Sequence, residues 1–291
     1  MIKPCFKWPG SKAWLANRLN EVLLSDFERI VEPFAGSAAF FLGSQCKKAI
    51  LGDTNEHIAH CLGAVRDRPR EVISLLSQLG NTLEDYNQVK NFLPLDPVQS
   101  AARMIFLTNT SWGGLYRENK KGGFNVPFGN NGRVFYSAEK IIAASKKLHG
   151  AEIIHGNYDV AIDKSNSKDL IFIDAPYVTK KASEHFDRYH ASRFAWKDQV
   201  LLADMLKSRA MKGRKILVTC AANPDLYELF SGWKVFEFSK RNSMAAYKYA
   251  AGKRNEALLI SPALRYLYEK LELEAPSDYQ GMQIELQCQT N

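Results

Sequence analysis

Five cysteines in 291 residues, Cys5, Cys46, Cys61, Cys220 and Cys288, fall singly along the chain, with no CxxC pair and no His-x-x-x-His partner. Nothing is there to build a disulfide framework or a zinc site, so no metal is expected. No apolar run is long enough to cross a bilayer, and Met1, Ile2, Lys3 and Pro4 open the chain without the apolar core of a leader. A reducing, cytoplasmic setting away from membranes is the expectation. The sequence also lacks an internal repeat, and it lacks the GxGxxG loop of a nicotinamide dinucleotide site.

What is present is core material and positive charge. Hydrophobic residues make up 46% of the chain, enough for one large domain with an insertion or for two domains. The formal net charge is +8, which favours a polyanionic partner bound through phosphate contacts and counterion release.

Leu170-Ile171-Phe172-Ile173 is a short apolar run that ends at Asp174-Ala175-Pro176-Tyr177. β-Branched and aromatic residues stopping at an acid, a proline and an aromatic describe a buried strand whose C-terminal edge opens into a site. Two readings suit such an edge: a plain strand-end acid followed by a Pro-Tyr turn, or a site for substitution at an aromatic amine, a poor nucleophile because its lone pair is delocalised into the ring. The Asp174 carboxylate and the carbonyl of Ala175 can accept its two hydrogens, and Tyr177 offers a face on which an extruded base stacks.

Ile30 and Val31 read as a strand running into Glu32-Pro33-Phe34-Ala35-Gly36-Ser37, with a helical start from Ala38. Ala49 to Leu51 reads as another strand, ending at Gly52-Asp53-Thr54-Asn55. A glycine loop after one strand and an acid at the tip of the next is an arrangement that holds a nucleoside, the acid accepting from ribose hydroxyls. Residues 56–109 are helical in pattern, broken at Pro69, at Gly80 and between Leu93 and Pro97.

Between Thr110 and Asn131 lie glycines at 113, 114, 122, 123 and 129, interleaved with Trp112, Tyr116, Arg117, Lys120, Lys121 and Phe124. Basic and aromatic side chains on a flexible scaffold suit phosphate contact, stacking and base-edge readout. Further helices are expected over Ser137–Leu148, Lys197–Met211 and Leu264–Leu271, and strands at Glu152–Tyr158 with a turn beyond it, Lys215–Cys220, Val235–Phe238 and Ala257–Ile260. The alternation predicts an α/β fold with a mostly parallel sheet covered on both faces.

Taken together, these residues resemble the Dam-like family of adenine-specific DNA methyltransferases. Lys7-Trp8-Pro9-Gly10-Ser11-Lys12 is similar to the family's N-terminal cofactor segment, Glu32-Pro33-Phe34-Ala35-Gly36 to its glycine loop, and Asp53-x-Asn55 to its ribose acid. Gly123-Phe124-Asn125-Val126-Pro127-Phe128-Gly129 resembles a signature inside its recognition insert, and Phe186, Tyr189, Phe194 and Asp198-Gln199 fall at family spacing after the catalytic tetrapeptide.

The resemblance implies a Rossmann-like methyltransferase fold, with a catalytic domain at 1–56 and 150–262, a helical target-recognition insert with a basic hairpin at 57–149, and a short helix and tail at 263–291. It implies S-adenosyl-L-methionine as cofactor, held near Trp8, Lys12, Glu32, Phe34, Gly36, Asp53, Tyr158 and Asp174. Double-stranded DNA is the implied partner, met by Trp112, Arg117, Asn119, Lys120, Lys121 and Asn125, with the chain a monomer or weak dimer. Asp174, Ala175, Pro176 and Tyr177 are the implied catalytic residues.

Three departures stand out: Ala175 replaces the first proline of Asp-Pro-Pro-Tyr, Ala38 replaces a glycine, and Asn157 replaces an acid before Tyr158. Two rivals stay open at this point. One keeps the chemistry and moves it to an RNA base or a protein glutamine amide, and the other is a DNA-binding module whose catalysis has decayed.

Overall fold

The computed structural model describes residues 1–20, 27–119, 122–129, 134–178, 180, 194–240 and 254–273. The chain divides into two compact units, Met1–Lys164 and Ser165–Asn291.

In the first unit β1 (Arg29–Glu32), β2 (Ala49–Asp53) and β3 (Ala151–His155) pair in parallel with β2 central, Val31 lying opposite Ile50 and Gly52 opposite Ile154. β1 and β2 are buried over most of their length, with Ile30 and Val31 of β1 and Ala49, Ile50 and Leu51 of β2 as the apolar part, as suits strands covered on both faces. The helices are α1 (Ala13–Leu19), α2 (Ala39–Gly43), α3 (Glu56–Asp67), α4 (Pro69–Ser77), α5 (Leu83–Asn91), α6 (Pro97–Thr110), α7 (Ala138–Leu148) and α8 (Tyr158–Asp163).

Their starts are written locally. Asn55, Thr82, Asp96 and Ser137 each accept from a backbone amide of the turn they open, and prolines occupy the first position of α4 and α6. α6 buries most of its residues, Ile105, Phe106 and Leu107 among them, each a side chain whose burial is worth about 1.5 to 3 kcal/mol.

The stretch after α6 folds back on itself. Ser111 bridges Phe128 and Glu118 bridges Phe124, both antiparallel, and the Trp112 amide donates to the Pro127 carbonyl at 2.8 Å. The two ends meet so closely that a Cβ on Gly129 would lie 2.7 Å from the Ser111 oxygen, which excludes any other residue there. The buried Tyr86 of α5 donates to the carbonyls of Val126 and Pro127 at 2.9 and 3.2 Å, tying this hairpin to the helices beneath it.

In the second unit β4 (Asp169–Ile173) and β5 (Lys215–Ala221) are parallel, and β7 (Arg254–Ile260) runs antiparallel both to β5 and to β6 (Lys234–Lys240). The helices are α9 (Trp196–Met211), α10 (Pro224–Leu229) and α11 (Arg265–Leu273). Among the described residues, then, the strands pair in parallel except at β7, which gives the α/β fold expected. The short α8 and α10 were not anticipated, since six residues carry too little periodicity to read.

Candidate active site

The loop after β1 is held by side chains that local sequence does not advertise. Glu32 is 3% exposed, and its Oε1 accepts from the Phe41 amide at 2.7 Å, capping α2 from nine residues away. Gly36 has φ of +48°, and a Cβ there would stand 2.5 Å from Cδ1 of Trp8, so the indole seats directly on the loop. Lys12 is 2% exposed, its Nζ donating to the Gly10 carbonyl at 2.8 Å.

At the tip of β2, Asp53 is bracketed by backbone. Oδ2 accepts from the Gly36 amide and Oδ1 from the Asn55 amide, both at 2.9 Å. Burial pushes its carboxyl above the usual range, against those two amides and the nearby His155, which hold it down. Each carboxylate oxygen keeps a further lone pair, so hydroxyl groups can still donate to it. Beside this loop Phe34 and Tyr158 stack with centroids 5.5 Å apart and planes at 24°, so a flat ligand meets the outer faces of the pair.

Ala38, in place of the family's glycine, lies at φ 52° and ψ 35°, alone among the described non-glycine residues in having positive φ. That conformation costs an L-residue about 1 to 2 kcal/mol. Its fully buried methyl returns about 0.8 kcal/mol, and its stiffer unfolded chain about 0.4 to 1 kcal/mol. The sums nearly cancel, so Ala38→Gly is expected to change stability by less than about 1 kcal/mol in a urea titration. A larger loss would mean that the alanine packs in a way its burial does not convey.

On the hairpin, Arg117 is exposed and oriented by Asn125: its Nε donates to Asn125 Oδ1 at 2.7 Å, and the Asn125 amide donates to the Arg117 carbonyl at 2.9 Å. Trp112 is 46% exposed at the end of α6, next to Gly113 at φ of 65°. The exposed Asn119 takes the Gly123 amide on Oδ1 at 3.0 Å. Lys120 and Lys121 lie outside the described residues, as do Phe186 and Tyr189.

In the second unit Asp174 follows β4 directly. Thr219 of β5 donates to its Oδ1 at 2.7 Å, and the Tyr177 hydroxyl reaches the same oxygen at 3.3 Å. That hydroxyl also stands 3.4 Å from Oε2 of Glu256 on β7, while the tyrosine as a whole is 39% exposed. Burial of the hydroxyl end, then the charges of Asp174 and Glu256, push its pKa far above the ordinary phenol value. Ala175 is buried and Pro176 exposed. Asp198 reaches back to the Ala195 amide at 2.8 Å and so opens α9.

Residues 8–244 match the family model of the D12 class N6 adenine-specific DNA methyltransferases. The chain belongs to that family. As a D12-class methyltransferase it methylates the N6 amine of adenine in DNA, drawing on a methyl donor, and its fold is the Rossmann-like one of these enzymes.

It is 26% identical over 270 residues to the type II methyltransferase M1.LlaDCHI of Lactococcus lactis subsp. cremoris, covering 89% of this chain and 95% of that one. The type II methyltransferase M.MjaIII of Methanocaldococcus jannaschii is 28% identical over 262 residues, 80% of this chain and 90% of its own. The DNA adenine methylase of Vibrio cholerae is 26% identical over 220 residues, 73% and 79% of the two chains. Among the described residues no helix is long and apolar enough to cross a membrane, and no cluster of metal-ligating side chains occurs.

Sequence reasoning missed Thr219 and Glu256 in this methyltransferase. The signal for Thr219 was present: in the parallel register Ile173 faces Val218, which sets the next residue of β5 beside Asp174. Glu256 depended on β7 returning antiparallel, a direction that periodicity does not encode.

Proposed function

We propose that the methyl donor is S-adenosylmethionine, that the substrate is double-stranded DNA, and that the adenine is turned out of its helix to be modified. Asp53 carries this reading. A carboxylate fixed by the amides of the glycine loop and of Asn55, with lone pairs to spare, suits the two hydroxyls of a ribose. The donor would be held by Gly36, Phe34 and Asp53, with Trp8, Lys12 and Tyr158 nearby. Glu32 would act by capping α2. When bound, S-adenosylmethionine supplies an electrophilic methyl group.

The chain's own part is to hold the acceptor nitrogen. The Asp174 carboxylate and the Ala175 carbonyl would accept the two amine hydrogens, drawing the nitrogen toward tetrahedral geometry, and the exposed ring of Tyr177 would carry the flipped base. Loss of the proline ring at 175 leaves the carbonyl in place, and Pro176 still biases residue 175 toward extended backbone.

Segment 57–149 would be the recognition insert, 1–56 with 150–262 the catalytic domain, and 263–291 a short helix and tail. Trp112 would fill the gap in the duplex, while Asn119, Lys120 and Lys121 would meet the backbone. The free thiols of Cys5, Cys46, Cys61 and Cys220 suit a reducing cytoplasm.

Transfer of labelled methyl from S-adenosylmethionine to duplex DNA, and not to folded RNA of the same sequence, is the expected result, and preference for RNA would overturn the reading. Arg117, preset by Asn125, is placed to read a guanine edge. Arg117→Ala should therefore relax preference at one base pair by about 1 to 3 kcal/mol in a methylation assay on a randomised duplex. A uniform loss on all sequences would make it a phosphate contact.

A further inference from the structure

A closed circuit of contacts joins the donor loop to the hairpin. Asp53 takes the Asn55 amide at 2.9 Å, and Asn55 Oδ1 takes the His57 amide at 2.9 Å, which caps α3. The imidazole of His57 has its Nδ1 at 3.3 Å from Ser100 Oγ, and its Nε2 at 3.9 Å from Oε1 of Glu118 on the hairpin. Glu118 Oε1 accepts the Tyr116 hydroxyl. The Tyr116 ring lies 5.4 Å from the Trp8 ring and 5.3 Å from Phe124, and Trp8 returns to Gly36, whose amide donates to Asp53.

We propose that Glu118 and His57 are positioning residues that couple the two ligands, so that methyl donor and DNA each raise the other's affinity. The proposal rests on the reading of Asp53 and the hairpin given above. Neither Glu118 nor His57 is assigned a contact with donor or base. They stand at the junction, where the polar branch through His57 and the aromatic branch through Tyr116 both arrive at Glu118. A donor that immobilises Asp53 and Gly36 also fixes both branches, so DNA meets a hairpin base already ordered, and the same benefit returns to the donor by reciprocity.

One alternative is excluded by placement. Glu118 does not act as a rival anion against the phosphates from the hairpin tip, because its carboxylate turns inward to Tyr116 and His57. The aromatic branch alone would give a contact insensitive to charge, whereas the polar branch requires the carboxylate.

The test is calorimetric titration of S-adenosylhomocysteine, which cannot transfer a methyl, into the full chain with and without a saturating duplex that the chain methylates. In the parent chain the duplex should raise affinity by roughly 5- to 150-fold. Glu118→Gln and His57→Gln should each remove most of that factor while changing affinity without DNA by less than about two-fold. The double variant should lose no more than the larger single effect, because the two residues act as one link.

A coupling factor equal to the parent's in either single variant, or losses that add in the double, would overturn the proposal. So would a parent chain that binds S-adenosylhomocysteine with no response to DNA. A parent chain that does not bind S-adenosylhomocysteine at all would instead remove the donor reading, and the coupling with it. Should one variant fail to fold, the other decides, since each cuts the link separately.

Discussion

Asp174→Ala is expected to lower single-turnover methyl transfer about 10²- to 10³-fold, the usual cost of deleting a pre-placed group that stabilises a developing charge. The surroundings make this a clean experiment. Thr219 Oγ1 still has the Ile173 carbonyl at 3.3 Å, and the Tyr177 hydroxyl still has Glu256 at 3.4 Å. Neither hydroxyl is left without an acceptor, so the stability loss should stay near the ~1 kcal/mol of one ordinary hydrogen bond. Chemistry should collapse while the fold persists. A drop in turnover below about tenfold, or one that follows a comparable loss of stability in a denaturant titration, would remove Asp174 from the proposed chemistry.

The parts of this site that could be read in advance are those whose cause lies within a few residues. An apolar run stopping at Asp174 announces a buried strand and an edge, and the acid in Gly52-Asp53-Thr54-Asn55 after Ala49 to Leu51 announces another. What could not be read acts across the chain. Glu32 caps α2 through a buried carboxylate, where a local rule looks for a serine or aspartate just ahead of the helix. Ser11 is not the cap of α1; that position falls to Lys12, whose side chain makes no capping hydrogen bond and donates to the Gly10 carbonyl instead.

Lys12 itself shows the same limit, since nothing in Gly10-Ser11-Lys12 tells that the lysine is buried and donates to the Gly10 carbonyl. Ala38 is the reverse case. The substitution is visible in the sequence and suggests damage, yet backbone strain and methyl burial offset one another at that position, so the departure from glycine does not by itself argue for lost activity.

Asp53→Ala is expected to weaken binding of S-adenosylmethionine by about 1.5 to 3 kcal/mol, the range for hydrogen bonds to a charged acceptor. That is roughly a ten- to 150-fold change in Kd. Unlike the change at 174, it should also destabilise the fold, because the buried Gly36 amide loses its acceptor at a cost of about 1 to 3 kcal/mol. Affinity and stability must therefore be measured together, at temperatures where the variant is fully folded.

The pH dependence separates the two effects by sign. Burial raises the folded pKa of Asp53 above its unfolded value, so the protonated carboxyl adds stability below the unfolded pKa, and that added stability is lost as pH rises through the folded pKa. Donor affinity should move the other way, falling as pH drops through the same raised pKa, because a protonated carboxyl no longer offers both oxygens to the ribose. The fall should begin above the ~3.9 of an ordinary aspartate. Calorimetric titrations from neutral pH downward should show that decline in the parent chain and a flat line in Asp53→Ala. Parallel declines in the two would mean that another group controls donor binding.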